Sequence, residues 1–88
     1  MTGKKDNLVT GVYENLSANL RFLRLANHLS QERVSQFLHT SRKHYSECER
    51  GIAVPSLITV CILADIYKIQ LDTLIASKIA EKAVGKMK

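Results

Sequence analysis

The chain has no long apolar run, and this absence excludes a membrane span. Its longest apolar stretch, residues 58–69, is interrupted by Asp65 and Lys68, whereas a spanning helix needs about 20 predominantly apolar residues. Residues 1–10 are polar and contain no apolar core segment, so they do not resemble a signal peptide. We therefore expect a cytoplasmic chain with no membrane partner.

Cysteine is scarce as well, which argues against a metal or redox site. Cys48 and Cys61 are far apart and lack a second pair of ligands, so the C-x-x-C spacings of such sites are absent. A zinc site would require the fold to gather both thiols with a histidine, and two reduced core thiols are the simpler interpretation. No nucleophile, base and orienting partner occur at a plausible spacing. The sequence thus predicts no metal, no cofactor and no enzymatic activity.

The size and charge of the chain set two further bounds. Its 88 residues suffice for one small domain, whose limited core makes it marginally stable and favours self-association. The net charge of +5 and the isoelectric point near 9.5 favour a polyanionic partner, although an ordinary solubilising surface explains them equally well. Charge alone therefore does not identify a partner.

Apolar periodicity predicts five short helices and no strand, and hence an all-α bundle. Leu16, Leu20 and Leu23 recur at helical spacing and mark a first helix from about residue 13 to 27. The remaining helices are expected to begin at Ser30 and to cover about residues 41–50, 56–67 and 71–83. Residues 1–12 form a flexible leader in this prediction, residues 13–83 the folded domain, and residues 84–88 a basic tail.

Residues 30–51 contain two of these helices, separated by only a few turn residues. Ser30 and Ser41 are typical N-cap residues, and Gly51 follows the second helix where a left-handed residue commonly ends one. The buried face of the first of the pair is expected to contain Val34, Phe37 and Leu38. Two short helices at this spacing are of the right size to dock on DNA as a helix-turn-helix.

The second helix of this pair combines a polar face with a packed one. Helical geometry places Tyr45 and Cys48 on the side opposite a polar arc of about 140°. In a major groove, Arg or Lys donates to guanine, Glu accepts from cytosine, and Ser suits either base. The predicted base-reading residues are Arg42, Lys43, Ser46 and Glu47. Gln31, in the first turn of the preceding helix, is placed to hold a phosphate oxygen.

These segments resemble the Cro/CI-type (XRE) helix-turn-helix domains over roughly residues 16–75. The resemblance depends on several short motifs in the order and spacing of that family. They are Leu20-Arg21-Phe22-Leu23-Arg24, Leu29-Ser30-Gln31, Ser41-Arg42, Glu49-Arg50-Gly51, Pro55-Ser56-Leu57, Leu63-Ala64-Asp65 and Leu71-Asp72-Thr73-Leu74.

The resemblance implies a fold, a function and a set of residue roles. The fold is a five-helix bundle of the lambda-repressor-like type, and the function is a dimerising DNA-binding regulator. Arg24 and Glu49 are implied to form a partly buried ion pair between the first and third helices. The residues assigned to the DNA backbone are Gln31, Ser41, His44 and Arg50, and His44 could equally be exposed to water alone.

The chain also departs from that family at several positions. Family members often have Gly where this chain has His28, His39 and Lys68, so we expect these residues at positive φ, at a cost of about 1 kcal/mol each. Residues 52–54, Ile-Ala-Val, replace the cations that often follow the third helix. Four apolar residues occupy positions that are commonly polar: Phe22, Leu25, Ile58 and Ile62. They are expected either to pack against Leu8, Val9 and Val12 of the leader or to form a dimer or partner-protein surface.

Two hypotheses for the function follow. The first is a sequence-specific regulator of double-stranded DNA, a repressor that binds two half-sites as a homodimer. The second is a protein-interaction module that keeps the helix-turn-helix scaffold but has weak DNA affinity. The second gains support from the apolar residues at 52–54 and from a net charge of only +1 over residues 30–51.

Overall fold

The structure is a computed structural model that describes the backbone of residues 2–80 and the side chains of residues 11–80. Its helices are α1 (Thr2–Ala26), α2 (Gln31–Phe37), α3 (Arg42–Glu49), α4 (Leu57–Tyr67) and α5 (Thr73–Ala76). The described backbone contains no strand. The prediction of an all-α, five-helix fold is therefore confirmed.

Three of the five helices begin at a capping serine. The Oγ atoms of Ser30, Ser41 and Ser56 each accept a hydrogen bond from the backbone N–H three residues later, at 3.0, 3.0 and 3.2 Å. All three serines have extended backbone geometry. Each cap satisfies one of the N–H groups that a helix start leaves unpaired, so the sequence fixes where α2, α3 and α4 begin.

Left-handed residues occupy the turns in which α1, α2, α3 and α4 end. His28, His39 and Lys68 have φ values of 57°, 53° and 55°, and Gly51 has 76°. The prediction that these three non-glycine residues take positive φ is confirmed. Glycine has no Cβ to clash with the carbonyl oxygen in this conformation, so Gly51 alone adopts it without cost.

The helices enclose one apolar core. α1 contributes Leu16, Leu20 and Leu23, while the other helices bury Val34, Tyr45, Cys48, Val60, Leu63, Ala64, Tyr67 and Leu74. Ion pairing and packing both join α1 to α3, and α1 also packs on α5. The core thus lies behind α3 and holds one side of that helix against the rest of the domain.

Phe37 is the one residue of the expected α2 core face that lies outside the core. Its side chain is 39% exposed, with the Arg33 guanidinium 4.9 Å from the ring centroid. Ser35 is buried instead, and its hydroxyl donates to the Glu32 carbonyl at 2.7 Å. The buried residues of α2 are Val34 and Ser35, so its inner face is shifted by one position from the expected face. In a helix of only two turns, this shift is enough to place Phe37 at the surface.

α1 begins at Thr2, so its predicted start near Tyr13 was wrong. No proline interrupts residues 2–26, and the spacing of Leu8, Val12 and Leu16 continues the apolar repeat toward the N-terminus. Gly11 weakens a helix by only about 1 kcal/mol, which does not end it. The backbone of the expected leader is therefore helical from Thr2 onward.

The C-terminal helix is also divided where one continuous helix was predicted. α5 ends at Ala76, Ser77 is extended with φ −165° and ψ 169°, and helical backbone resumes at residues 79–80. The predicted helix of residues 71–83 was therefore wrong at this break. Its last residues, 81–83, and the predicted basic tail at 84–88 lie outside the described residues.

A buried asparagine of α1 explains the break. The Asn19 amide nitrogen donates to the Leu74 and Ser77 carbonyls at 2.8 and 2.9 Å, and its oxygen accepts from the Ile79 N–H at 2.7 Å. These bonds pair backbone groups that lie in a buried region, where an unpaired one would be costly. Asn19 thereby joins α1 to the end of α5.

Candidate nucleic-acid interface

The inner face of α3 is fixed by the core. Tyr45, Cys48 and Glu49 are all buried, with 1%, 3% and 7% of their surface exposed. These three residues fall within one arc of the helix, as its 100° rotation per residue requires. The packed side predicted for Tyr45 and Cys48 is confirmed, and Glu49 belongs to the same side.

The other side of α3 carries the polar residues that the sequence assigned to DNA. Ser41, Arg42, Lys43, His44 and Arg50 are exposed, while Ser46 and Glu47 are half-buried. The structure therefore brings the four expected base-reading residues together on one helix. Within 42–50 this side has three cations, one carboxylate and His44, which leaves a surface of net positive charge.

Arg24 and Glu49 form an ion pair that holds α3 to α1. Arg24 Nε donates to Glu49 Oε2 at 2.5 Å, and its Nη2 donates to Oε1 at 3.2 Å. The third nitrogen, Nη1, donates to the Leu29 carbonyl at 2.9 Å, which is in the turn before α2. Bidentate pairing of this kind sets orientation as well as proximity, so one arginine positions α3 relative to α1 and to the start of α2.

The protonation states of this cluster follow from burial and from its hydrogen bonds. Burial alone would raise the pKa of Glu49, but hydrogen bonds from Arg24 and Gln31 and the Arg24 charge hold it below its ordinary value. Burial raises the pKa of Tyr45 far above its ordinary range, and the adjacent Glu49 carboxylate raises it further. Glu49 is therefore charged and Tyr45 neutral at physiological pH.

Gln31 takes part in the same cluster, which the sequence did not indicate. Its Nε2 donates to Glu49 Oε1 at 3.1 Å, which joins the start of α2 to the end of α3. One amide hydrogen is thus committed to Glu49, while the other hydrogen and the amide oxygen remain available. The bond orients Gln31 at the start of α2, and its expected phosphate contact stays a prediction.

The two cysteines differ in their surroundings. Cys48 is buried with its Sγ 3.8 Å from His44 Nε2, and burial raises the pKa of its thiol. Cys61 is exposed on α4. The prediction of a core thiol is therefore confirmed for Cys48 and wrong for Cys61. Residues 11–80 contain no group of three or more His, Cys, Asp or Glu side chains placed to hold a metal ion.

The apolar residues that depart from the XRE pattern fall into two groups. Phe22 is half-buried against the core and lines an open groove with Leu25, Arg21 and Glu49, in which no α4 residue takes part. Ile58 is 72% exposed on α4. Because residues 2–12 continue α1, they do not fold back over Phe22 and Leu25 of the same helix. The expected contacts of Leu8 and Val9 fall on side chains that lie outside the described ones.

These features define a small helix-turn-helix domain: a capped α2, a short turn, and an α3 with one buried and one polar face. A family model described as a helix-turn-helix domain matches residues 15–76, which is more than half of the chain. The chain therefore belongs to the helix-turn-helix domain family, in agreement with its resemblance to the Cro/CI-type domains. Membership indicates a DNA-binding regulator. Comparisons with curated proteins and with solved structures found no match.

None of the described helices is both long enough and apolar enough to cross a bilayer.

Proposed function

We propose that the chain is a sequence-specific regulator that inserts α3 into the major groove of double-stranded DNA. The observation that carries this proposal is the division of α3 into two faces. Tyr45, Cys48 and Glu49 anchor the inner face, so the outer face is presented as a rigid unit. Rigid presentation matters because base recognition depends on side chains that reach the groove in a fixed register.

Four residues of the outer face are proposed to read bases. Arg42 and Lys43 donate to guanine O6 and N7, Glu47 accepts from the cytosine amino group, and Ser46 does either. Glu47 makes base reading more plausible than simple phosphate binding, since a carboxylate repels phosphates. It also gives the surface a means to reject a wrong base.

A second set of residues is proposed to hold the DNA backbone. Gln31 is oriented by Glu49, and its free amide hydrogen is the proposed donor to a phosphate oxygen. The Ser41 hydroxyl caps α3 through its lone pair and retains its hydrogen for a phosphate. Arg50 and His44, both exposed on α3 or at its end, complete the set.

The domain is proposed to act as a homodimer on two half-sites and to repress transcription. One copy of α3 reads only a few base pairs, and pairing two copies multiplies both affinity and specificity. Repression is proposed because a dimer bound to both half-sites blocks the DNA that it occupies. The proposal includes a cytoplasmic location, as the sequence led us to expect.

Selection from randomised duplex DNA at moderate salt tests this function. The proposal expects enrichment of a short half-site, repeated with twofold symmetry in the best-bound sequences. The absence of any preferred sequence would overturn it. Arg21→Ala is a suitable control protein, because it removes one positive charge from α1 and leaves α2 and α3 intact.

A second candidate function, a protein-interaction module with weak DNA affinity, is favoured by the loop after α3. Ile52 is 65% exposed in this loop and Val54 is exposed as well. Cations at these positions would contact the DNA backbone, and these apolar side chains do not. The salt dependence of duplex binding separates the two functions. A regulator with several phosphate contacts loses about 0.9 log units of affinity per neutralised phosphate for each tenfold increase in salt. A shallow slope with weak binding would favour the interaction module.

A further inference from the structure

The exposed apolar side chains of this domain are concentrated in one short segment. Nine large hydrophobic residues are well exposed among the described side chains, and five of them lie between residues 52 and 62. We define the α4 patch as these five residues together with the exposed Cys61. Its members are Ile52, Val54, Leu57, Ile58, Cys61 and Ile62. Such a concentration differs from the single exposed apolar residues that every surface carries.

The members of the patch on α4 share one side of that helix. Leu57 and Cys61 are four residues apart, as are Ile58 and Ile62, and residues at this spacing are neighbours on a helix surface. The opposite side of α4 places Val60, Leu63 and Tyr67 in the core. α4 is therefore apolar on both sides, although its core needs only one of them.

Charge favours a second copy of the same chain as the partner of this face. The chain carries a net charge of +5, so two copies repel each other over most of their surfaces. Residues 52–64 contain no charged side chain. The next two charges, Asp65 and Lys68, neutralise each other at 3.6 Å. The α4 patch is therefore the surface at which two copies meet with the least repulsion.

The area of the patch sets the strength of such a contact. A Leu or Ile side chain hides roughly 100 Å² of apolar surface when it is buried, so the five exposed hydrophobics offer roughly 300 Å² per copy. A standard interface buries about 800 Å² per partner, of which somewhat more than half is apolar. The patch supplies most of the apolar centre of a small interface. A dimer built on it is weak when free and is strengthened on adjacent half-sites.

We propose that the α4 patch is the homodimer interface, with α4 of one copy crossing α4 of the other near Cys61. A twofold contact is isologous, so the same residues face each other from both copies. Crossing at Cys61 brings the two Cys61 thiols together at the centre and lets Leu57, Ile58 and Ile62 surround them. The regulatory consequence rests on the proposed DNA-binding function, but the interface itself is testable without DNA.

Thiol cross-linking tests the position of the twofold axis. A short bis-maleimide joins two thiols through one thioether at each end, and Cys61 is exposed whereas Cys48 is buried. The wild-type protein is expected to form a covalent dimer, and Cys61→Ser is expected to form none. Ile58→Glu should reduce the yield of dimer at least tenfold. Leu25→Glu is the matched control, because it places the same charge on an exposed apolar site of α1 and should cross-link as the wild type does.

Sedimentation equilibrium measures the same contact without a probe. The wild type should show a concentration-dependent dimer, Leu25→Glu should retain it, and Ile58→Glu should be monomeric. At concentrations at which the wild type is itself monomeric, Ile58→Glu should melt as the wild type does. A wild type that stays monomeric at all concentrations would overturn the proposal. Equal loss of dimer in Leu25→Glu and Ile58→Glu would overturn it too, since it would show that the α4 patch has no special role.

Duplexes carrying one or two half-sites separate this proposal from the DNA-binding function. Ile58→Glu should bind a single half-site as the wild type does, and should lose at least tenfold in affinity for the double site. If neither protein prefers a selected half-site, the proposed function fails, and the dimer is judged by cross-linking and sedimentation alone. Unchanged binding of Ile58→Glu to both duplexes would contradict the α4 interface.

Discussion

α3 and α4 are alike in construction and opposite in surface. Each begins at a serine N-cap, and each packs one side into the same core. The exposed side of α3 carries Arg42, Lys43 and Arg50, whereas that of α4 carries Leu57, Ile58 and Ile62. Similar burial thus supports two surfaces of different chemistry. The first suits the polar edges of a nucleic acid, and the second suits another apolar surface.

The difference separates what the core determines in these two helices from what it leaves free. Core packing fixes where both helices lie, because their inner residues have no freedom to move without loss of contacts. The outer residues contribute little to folding, since an exposed substitution usually changes stability by less than about 0.5 kcal/mol. Inner substitutions should therefore destabilise the fold, and outer substitutions away from the helix caps should alter binding far more than stability.

The largest expected effect belongs to the ion pair under α3. Glu49→Ala leaves the Arg24 charge buried without its partner, and we expect it to cost about 3–5 kcal/mol of unfolding free energy. Glu47→Ala removes the same kind of side chain from the outer side of α3 and should cost less than about 0.5 kcal/mol. Urea denaturation of the two variants measures both values. Equal destabilisation would show that the two faces of α3 are not energetically distinct.

The pH dependence of stability should report the same ion pair. The pKa of Glu49 is lower in the folded protein than its unfolded value, which for a glutamate is about 4.3. Its contribution is therefore present above the unfolded pKa and is lost as the pH falls toward the folded pKa. At the alkaline end, the raised pKa of Tyr45 means that stability falls once the pH exceeds about 10, where an unfolded tyrosine ionises. Thermal melts from pH 2 to 11 measure both the acid limb, where stability falls as Glu49 is protonated, and the alkaline limb, where it falls above a pH of about 10.

Glu49→Gln provides the control for the acid limb. It should be less stable than the wild type at neutral pH and should lose less stability on acidification, because no carboxylate remains to be protonated at this site. An acid limb of unchanged depth in Glu49→Gln would assign the pH dependence to other carboxylates.

A smaller loss of stability is expected at the starts of α3 and α4, and it should be the same for both helices. Ser41→Ala and Ser56→Ala each remove one capping bond and should each cost about 1 kcal/mol. Only Ser41→Ala should also weaken binding to duplex DNA, because Ser41 lies beside the proposed interface. Chemical denaturation and duplex titration of both variants test this pairing. A matching loss of DNA affinity in Ser56→Ala would contradict the separation of the two helices.

The smallest stability effect is expected on the outer side of α4. Ile58→Glu changes an exposed residue to a good helix former, so the free energy of unfolding of the monomer should change by less than about 0.5 kcal/mol. Leu63→Ala, on the inner side of the same helix, should cost about 2–5 kcal/mol. Denaturation at low protein concentration gives both numbers. A large loss in Ile58→Glu would show that this side chain packs within its own domain.

The sequence predicted the local features of this fold well. The caps at Ser30 and Ser41, the left-handed His28, His39 and Lys68, and the packed side of α3 all follow from rules that act within a few residues. These rules succeed because capping and positive φ depend on the immediate neighbours of a residue.

The errors arose where distant parts of the chain meet. The division of the C-terminal helix depends on Asn19, which is more than fifty residues away in sequence from the carbonyls it pairs. One signal was available, since Asn19 lies between Leu16 and Leu20 in the apolar repeat of α1, where a polar residue needs buried partners. The exposure of Cys61 and the link from Gln31 to Glu49 had no such local signal, because both depend on how helices are placed.

Sequence selection with Arg42→Ala tests whether the outer face of α3 reads bases. Arg42→Ala should relax the base preference at one position of the half-site and reduce affinity there by about 1–3 kcal/mol. Gln31→Ala should weaken binding evenly across sequences, and Arg21→Ala should leave the preference unchanged. An Arg42→Ala protein that selects the same sequence with undiminished preference at every position would show that Arg42 does not read a base.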